Sequence, residues 1–214
     1  MPPILYYCYD AYCGWCYGNS NTILQVQQHY GTTLHYEVLS GGMVLPATPT
    51  PISATAGYIQ EAYKIVEKET GVIFGADYLW HINHPHLSDW YPNSELPAIA
   101  LCVLKQLQPT QQVQLAIAIQ KALYAEGRDL TDTEAYNEIL VQFGINKTTF
   151  SEAIKEEKYK AKAHQEFALC KQLQVKGYPT TYVQLADNKL QLVASGYTTF
   201  EKIRKRIDIA IAIN

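Results

Sequence analysis

The sequence predicts an α/β fold with strands near both ends of the chain and helices in the middle. Short apolar segments at residues 4–9 and 180–185 have the length and residue types of buried strands. Residues 53–173 repeat apolar side chains at three- and four-residue spacing, which is typical of helices. With 214 residues, of which 48% are hydrophobic, the chain is long enough to bury a sizeable core.

The N-terminal elements are predicted to be a strand, a helix and a second strand. Residues 4–9 are apolar, aromatic and few, which favours a strand over a helix. A helical pattern begins at Cys13 and is stopped by Gly31. Residues 33–40 alternate and are rich in Tyr, Val and Leu, so they predict a second strand, which is followed by Gly41-Gly42 and a proline-rich turn.

Five helical segments are predicted between residues 53 and 173. Apolar periodicity marks residues 53–71, 98–107 and 113–124, and two motifs of the capping-box type open the others, Thr131-x-x-Glu134 and Thr149-x-x-Glu152. The last of these helices is expected to run from Thr149 to Leu173. This stretch therefore contains no predicted strand.

The C-terminal elements are predicted to be a β-hairpin and a helix. Two strand-like segments at residues 180–185 and 190–193 are separated by Asp187-Asn188-Lys189, which is typical of a hairpin turn. Thr198-x-x-Glu201 then starts an amphipathic helix. Without most of the central helices the order is β-α-β-α-β-β-α, the thioredoxin arrangement. We therefore predict a thioredoxin-like domain, residues 1–45 and 159–214, with an all-helical insertion domain, residues 46–158.

Composition excludes several classes of function. The formal net charge of -3 gives no basic surplus for nucleic acid or an anionic membrane. No stretch approaches the roughly 18 apolar residues of a membrane span. The first residues lack the pattern of a secretory signal, and five cysteines do not form the even set of a secreted disulfide scaffold. We expect a cytoplasmic protein.

Two cysteines carry the clearest chemical signal. Cys13 and Cys16 are separated by two residues, directly after a predicted strand and at the start of a predicted helix. A helix N-terminus stabilises a thiolate through free N–H groups and the helix dipole. We therefore interpret Cys13 as a nucleophile with access to solvent and Cys16 as the resolving cysteine of a redox pair. The alternative is two core thiols or half of a zinc site, but no second Cys-x-x-Cys or His-x-x-x-His motif completes four ligands, so we expect no metal.

A second signal is Pro179, which stands at the entry of the third predicted strand. Proline cannot donate to a strand ladder, so this position suits it. Taken with the cysteine pair, the sequence predicts a cis bond between Tyr178 and Pro179 that lies beside the cysteines. The backbone of Tyr178 could then pair with an extended substrate, and we expect Tyr178, Pro179 and Trp15 to contact it.

These motifs resemble those of the DsbA-like thioredoxin-fold proteins, and within them the FrnE-like branch. The resemblance is carried by Asp10-x-x-Cys13-x-Trp15-Cys16, by Gly41-Gly42 and by Val175-x-Gly177-x-Pro179-Thr180. It implies disulfide oxidoreductase or isomerase activity on protein or peptide thiols and disulfides, with an unknown redox partner and no cofactor. DsbA itself has proline and histidine between its cysteines, so its strong oxidising power is not implied for a Gly14-Trp15 dipeptide.

Other candidate residues have a simpler interpretation. Asp10 either accepts a proton in the reaction or caps the turn before Cys13, and the sequence does not decide between these roles. Cys8, Cys102 and Cys170 are interpreted as buried small hydrophobic residues. The irregular spacing of His81, His84 and His86 around a proline favours a loop or groove lining over a metal site.

Two other functions compete with thiol–disulfide exchange. A glutathione-dependent transferase or isomerase of the kappa-like group shares this architecture but usually has serine where Cys13 stands. A binding or chaperone-like module could use the seventeen tyrosines as an aromatic surface. Retention of both cysteines argues against each of them.

Overall fold

The structure of the protein, a computed structural model, describes residues 2–185 and 189–212. Four strands form one sheet: β1 (Ile4–Tyr9), β2 (His35–Ser40), β3 (Thr180–Gln184) and β4 (Leu190–Ser195). Their order is β2-β1-β3-β4. β2 is parallel to β1, whereas β3 is antiparallel to both β1 and β4. The prediction of an α/β fold is confirmed.

Ten α-helices accompany the sheet in the described residues. They are α1 (Gly14–Gly18), α2 (Ser20–Tyr30), α3 (Ser53–Thr70), α4 (Ala76–Asn83), α5 (Glu95–Leu107), α6 (Gln112–Tyr124), α7 (Asn137–Gln142), α8 (Lys147–Ala153), α9 (Glu157–Gln172) and α10 (Phe200–Ala212). Within that same part of the chain, no helix is both long and apolar enough to cross a membrane.

The first predicted helix is two helices in the structure. The backbone breaks at Asn19, whose N–H is shared between the carbonyls of Trp15 and Cys16. Gly18 lies against α3, where a Cβ atom would come within 2.8 Å of Thr70. This close approach fixes the short α1, and with it both cysteines, against α3. The second strand also starts later than predicted, because residues 31–33 form a 3₁₀ turn.

The predicted count of five helices between residues 53 and 173 was wrong, since seven α-helices lie in this fully described stretch. α4 was missed. The segment predicted to run from Thr149 to Leu173 is split into α8 and α9. Asn146, not Thr149, caps α8, and its side chain accepts a hydrogen bond from the Thr149 N–H.

The other two predicted capping boxes are also displaced. Asp132 caps the 3₁₀ turn before α7 in place of Thr131, and it accepts a hydrogen bond from the Glu134 N–H. α10 begins at Phe200, and the Thr198 hydroxyl donates to the carbonyl of Gly196. Each helix was therefore found where its motif predicted one, with its start shifted by one or a few residues.

Alternation along β1 divides the core between the two faces of the sheet. Leu5, Tyr7 and Tyr9 join the large cluster that includes α1, α2 and the insertion, while Cys8 packs with Leu39 and with α9 on the opposite face. The large cluster runs without interruption from β1 into helices α4 to α8. The division into residues 1–45 with 159–214 and 46–158 remains a prediction. Asp187 and Asn188 of the predicted hairpin turn lie outside the described residues.

Side chains cover the outer edge of β2. The Val38 N–H donates to Gln112 Oε1 at 3.1 Å, and the Val38 carbonyl accepts from Lys105 Nζ at 2.6 Å. The Ser40 N–H donates to Glu166 Oε2 at 2.8 Å. Glu166 also forms an ion pair with Lys105, in which both side chains are largely buried. Helices α5, α6 and α9 thus supply the hydrogen bonds that a neighbouring strand would otherwise make.

Candidate active site

Cys13 lies where the chain leaves β1 and enters α1. Its backbone is extended, with φ of -90° and ψ of 107°, and its carbonyl accepts the first helical hydrogen bonds, from Cys16 at 2.9 Å and Tyr17 at 3.2 Å. The strand–turn–helix context predicted for the pair is therefore present. Cys13 is only 6% exposed and Cys16 is fully buried, so the solvent access predicted for Cys13 is small in the structure. All five cysteines are free thiols.

The loop before β3 crosses in front of Cys13. The Tyr178–Pro179 bond is cis, as predicted. Cys13 Sγ donates a hydrogen bond to the Tyr178 carbonyl at 3.3 Å, so Cys13 and this loop are in direct contact. Pro179 itself is buried, and its carbonyl accepts from the Gly196 N–H at 2.7 Å.

Gly41 positions this loop from the other side. The Tyr178 hydroxyl donates to the Gly41 carbonyl at 2.9 Å. A Cβ atom on Gly41 would lie 2.1 Å from the Tyr178 ring, so no larger residue fits while the ring stays in place. The Gly41-Gly42 motif noted in the sequence thus determines where the Tyr178 backbone meets Cys13.

The two thiols have different surroundings. Burial raises the pKa of the Cys16 thiol well above its ordinary value, and a hydrogen bond with Cys13 adds to the rise. Cys16 therefore stays protonated until its environment changes. Cys13 lies at the helix start and borders a cavity, which suits the group that meets a substrate first.

Asp10 is a buried carboxylate that joins three segments. Oδ1 accepts hydrogen bonds from the Tyr12 N–H at 3.0 Å and the Ser94 hydroxyl at 2.9 Å, and Oδ2 accepts from the Met43 N–H at 2.7 Å. Burial raises the pKa of Asp10, although these hydrogen bonds oppose the rise. The turn-capping role is thus visible in the geometry. Asp10 also interacts electrostatically with Cys16.

Gln120 is a site residue that the sequence analysis missed. It is buried on α6, where its amide donates to the Asp10 carbonyl at 3.0 Å and to the Cys13 carbonyl at 3.4 Å. Ser94, the hydroxyl partner of Asp10, was missed too. The available signal was that Gln120 stands where the helical pattern of α6 predicts an apolar side chain. Its hydrogen-bond partners could not be predicted, because they lie more than a hundred residues earlier in the chain.

A cavity of about 250 Å³ opens beside Cys13. Of the three residues predicted to contact substrate, Trp15 and Tyr178 line this cavity and Pro179 does not. Its remaining walls come largely from α3 and from a cluster of packed aromatic rings that includes Phe74, Tyr78 and Tyr124. On the other side, Trp15 stacks on Tyr197 with ring centroids 6.3 Å apart.

The remaining candidates lie away from the site or behind it. Cys8, Cys102 and Cys170 are all buried, and Cys170 Sγ donates to the Ser40 carbonyl at 3.6 Å. Of the loop or groove lining predicted for the histidines, the loop is wrong for His81, which lies on α4, stacks on Trp90 and is hydrogen bonded to Ser88 at 2.8 Å. Across the described ranges, no group of three or more His, Cys, Asp or Glu could hold a metal ion.

The fold is that of the DsbA-like thiol–disulfide oxidoreductases. The family model for the DSBA-like thioredoxin domain matches residues 5–208, so the chain belongs to this family. The thioredoxin-like fold predicted from the sequence is thereby confirmed. No curated protein matches the chain.

Solved structures agree with this assignment over almost the whole chain. A protein from Nitrosomonas europaea, provisionally assigned as a protein disulfide isomerase, has 22% identity and a TM-score of 0.84, with 98% of this chain and 97% of that chain covered. The cytosolic disulfide reductase DsbM from Pseudomonas aeruginosa has 25% identity and a TM-score of 0.78, with 97% of each chain covered. Its structure with GSH gives 24% identity and a TM-score of 0.76, again with 97% of each chain covered.

Proposed function

We propose that the protein exchanges thiols and disulfides in protein or peptide substrates through Cys13 and Cys16. The observation that carries this proposal is the placement of Cys13. Its sulfur lies at the start of α1, against the Tyr178 carbonyl and at the wall of a cavity, with the buried thiol of Cys16 behind it. A nucleophile that faces a cavity and a covered second thiol are the two groups that stepwise exchange requires.

The exchange has two steps. The Cys13 thiolate attacks one sulfur of a substrate disulfide, forms a mixed disulfide and releases the other substrate sulfur as a thiol. Cys16 then loses its proton and attacks Cys13 Sγ, which forms the Cys13–Cys16 disulfide and releases the second substrate thiol. Two electrons pass from the protein to the substrate. The reverse sequence oxidises a substrate dithiol.

Asp10 is the group we propose as proton acceptor for the second step. Cys16 is fully buried, so water is a poor acceptor for its proton. The Asp10 carboxylate is one of the groups that raise the pKa of Cys16, and hydrogen bonds from the Tyr12 and Met43 N–H groups hold it in place. In this role Asp10 takes the Cys16 proton as the new disulfide forms and returns it to the leaving thiolate.

We further propose that the protein works in the cytosol with a redox partner that renews its thiols. The support is the similarity to a cytosolic disulfide reductase. Fractionation of the native cells with an antibody against the chain tests this location. Recovery with the periplasmic or secreted proteins would contradict it.

Trapping of the mixed disulfide tests the proposed function. Cys16→Ser removes the resolving nucleophile, so the variant should stall as a covalent adduct with a model disulfide peptide. The adduct is detected by mass spectrometry and should be released by dithiothreitol. Cys13→Ser and the double variant are the controls, and neither should form it. A Cys16→Ser protein that is folded and forms no reducible adduct would refute the proposal.

A further inference from the structure

Two of the cysteines that the proposed exchange does not use lie against each other behind the sheet. Cys8 on β1 and Cys170 on α9 pack with Leu39 in a small cluster of their own, on the face opposite the large core cluster. Both thiols are free, and both side chains are almost completely buried. The two residues are far apart in the chain, so the fold itself brings them together.

The two thiols are linked by hydrogen bonds. Cys170 Sγ donates to the Ser40 carbonyl at 3.6 Å, so its one proton is already in use. The Cys8 thiol therefore donates to Cys170 Sγ, and this hydrogen bond, followed by burial, raises the pKa of Cys8. Cys102 provides the contrast, since its buried thiol donates to a carboxylate oxygen of Glu166 at 3.4 Å instead of to another thiol.

Cys170 lies in the last turn of α9, where the helix opens most easily. The helix ends at Gln172, and Gln174 has a positive φ of 56°, the left-handed conformation that often follows a helix C-terminus. The turn is held by the Val175 N–H, which donates to the Cys170 carbonyl at 3.0 Å. Because helix ends open at a lower free energy than the core, a small reagent can reach Cys170 while the sheet stays folded.

We propose that Cys8 and Cys170 are a second redox pair, which a low-molecular-weight disulfide converts into a structural disulfide between β1 and α9. The Cys170 thiolate attacks the small disulfide, forms a mixed disulfide and releases one small thiol. Cys8 then loses its proton and attacks Cys170 Sγ, which forms the Cys8–Cys170 bond and releases the second small thiol. The two cysteine protons pass to the released thiols, and two electrons pass to the small disulfide.

The cross-link joins the two segments that meet at the candidate active site. β1 leads from Cys8 toward Cys13, and α9 leads from Cys170 to the loop that carries Tyr178. The Tyr178 side chain packs against the cluster of the two cysteines, while its carbonyl accepts the hydrogen bond from Cys13. Because most of the chain lies between Cys8 and Cys170, the disulfide also restricts the unfolded chain and should stabilise the fold.

The test uses protein in which Cys13 and Cys16 are both replaced by serine. The reduced, folded protein is incubated with increasing concentrations of hydroxyethyl disulfide, then alkylated and digested with trypsin. The three remaining cysteines fall in three different tryptic peptides, residues 1–64, 69–105 and 163–171. We expect one cross-link, between the first and the third peptide, with loss of the mass of two hydrogen atoms and release by dithiothreitol.

Two single replacements in the same protein are matched controls. Cys170→Ala removes the partner thiol and should abolish the cross-link. Cys102→Ala removes a buried thiol that faces a carboxylate, so the cross-link should form as fast as without this change. If the protein with both serines fails to fold, the wild type gives the answer, because cleavage by chymotrypsin after Tyr9 separates Cys8 from Cys13.

The outcomes decide the proposal without reference to the exchange at Cys13. A Cys8–Cys170 cross-link in the folded protein, with a higher urea midpoint than the dithiol form, supports it. A cross-link that forms only in urea-unfolded protein, or that lowers the urea midpoint, would overturn it. So would a stable adduct of the reagent on Cys170, or two thiols that stay unreacted in the folded protein. The proposed function is judged separately, by trapping of the mixed disulfide.

Discussion

Asp10 shows how a single buried group combines structure and chemistry. It holds the turn before Cys13, the segment after β2 and the residue before α5 through three hydrogen bonds. The same burial raises its pKa. An acid with a raised pKa exchanges protons closer to neutral pH, which is the property that a proton acceptor for Cys16 needs.

The pH dependence of the second step tests this role. As pH falls through the raised pKa of Asp10, the carboxylate becomes protonated and can no longer accept the Cys16 proton, so release of substrate from the mixed disulfide should slow. In Asp10→Asn, release of substrate from the mixed disulfide should be at least about tenfold slower, since general-base catalysis typically contributes about 10²–10⁴-fold. The rate of release in this variant should also no longer depend on pH in this range. Rapid-quench measurement of adduct decay gives the rate. An unchanged pH profile would show that Asp10 is only structural.

Gly41 is the second residue whose role is open to a direct test. Gly41→Ala forces its new Cβ against the Tyr178 ring, and overpacking of this kind typically costs about 1–3 kcal/mol. Because Tyr178 contacts Cys13, the variant should also react more slowly with a model disulfide. Gly57→Ala is the control: it lies on α3 with open space around it, so it should stabilise the protein by about 0.5–1 kcal/mol. Chemical denaturation measures both, and equal stability of the two variants would contradict the prediction.

The two members of one buried ion pair, Lys105 on α5 and Glu166 on α9, both hydrogen bond to the backbone of β2. Burial alone would lower the pKa of Lys105, but the adjacent Glu166 carboxylate raises it above the ordinary lysine value. A raised pKa means that the folded state holds this proton more tightly than the unfolded state does. The stabilisation is therefore complete below the lysine range and is lost as pH rises through the folded-state pKa.

Lys105→Met tests this attachment. The substitution leaves Glu166 as a buried charge without its partner, and loss of one member of such a pair typically costs about 3–5 kcal/mol. The free energy of unfolding by urea at neutral pH measures the loss. Lys64→Met, which breaks the exposed ion pair with Glu61, should change stability far less. Similar losses in the two variants would show that the buried pair contributes little.

The sequence predicted those elements whose signals are local. The cysteine pair at a strand–helix junction, the proline at the start of β3 and the apolar segments of β1 and β3 were all found as expected. Helix starts were less accurate, because Asn146 and Thr149 are both good capping residues and only packing decides between them. The break at Asn19 and the role of Gln120 depend on contacts between distant segments, which no local pattern encodes.

At the scale of the whole molecule, tyrosines are the unusual feature of the core. Tyr7, Tyr9, Tyr124 and Tyr136 are fully buried, and burial raises the pKa of each well above its ordinary value. In the unfolded chain they would ionise near pH 10. The unfolded state therefore releases protons that the folded state retains, and stability must fall as pH rises above that value.

An alkaline titration followed by two signals tests this prediction. Exposed tyrosines should ionise first, with a gradual rise of tyrosinate absorbance while the circular dichroism stays native. The buried tyrosines should ionise only in a second, steep phase that coincides with loss of helical signal. A single smooth phase with intact helices would mean that these rings titrate in the folded protein, contrary to their burial.

The covered edge of β2 has a consequence for self-association. Another chain can add a strand there only after Lys105, Gln112 and Glu166 have left the backbone groups that they occupy. Growth of an intermolecular sheet on this side thus requires prior detachment of α5, α6 and α9, which is a large local unfolding event. Heat or mild denaturant that detaches these helices would expose the unpaired backbone groups of β2. The rate of aggregation should therefore follow the rate of this local opening more closely than the rate of complete unfolding.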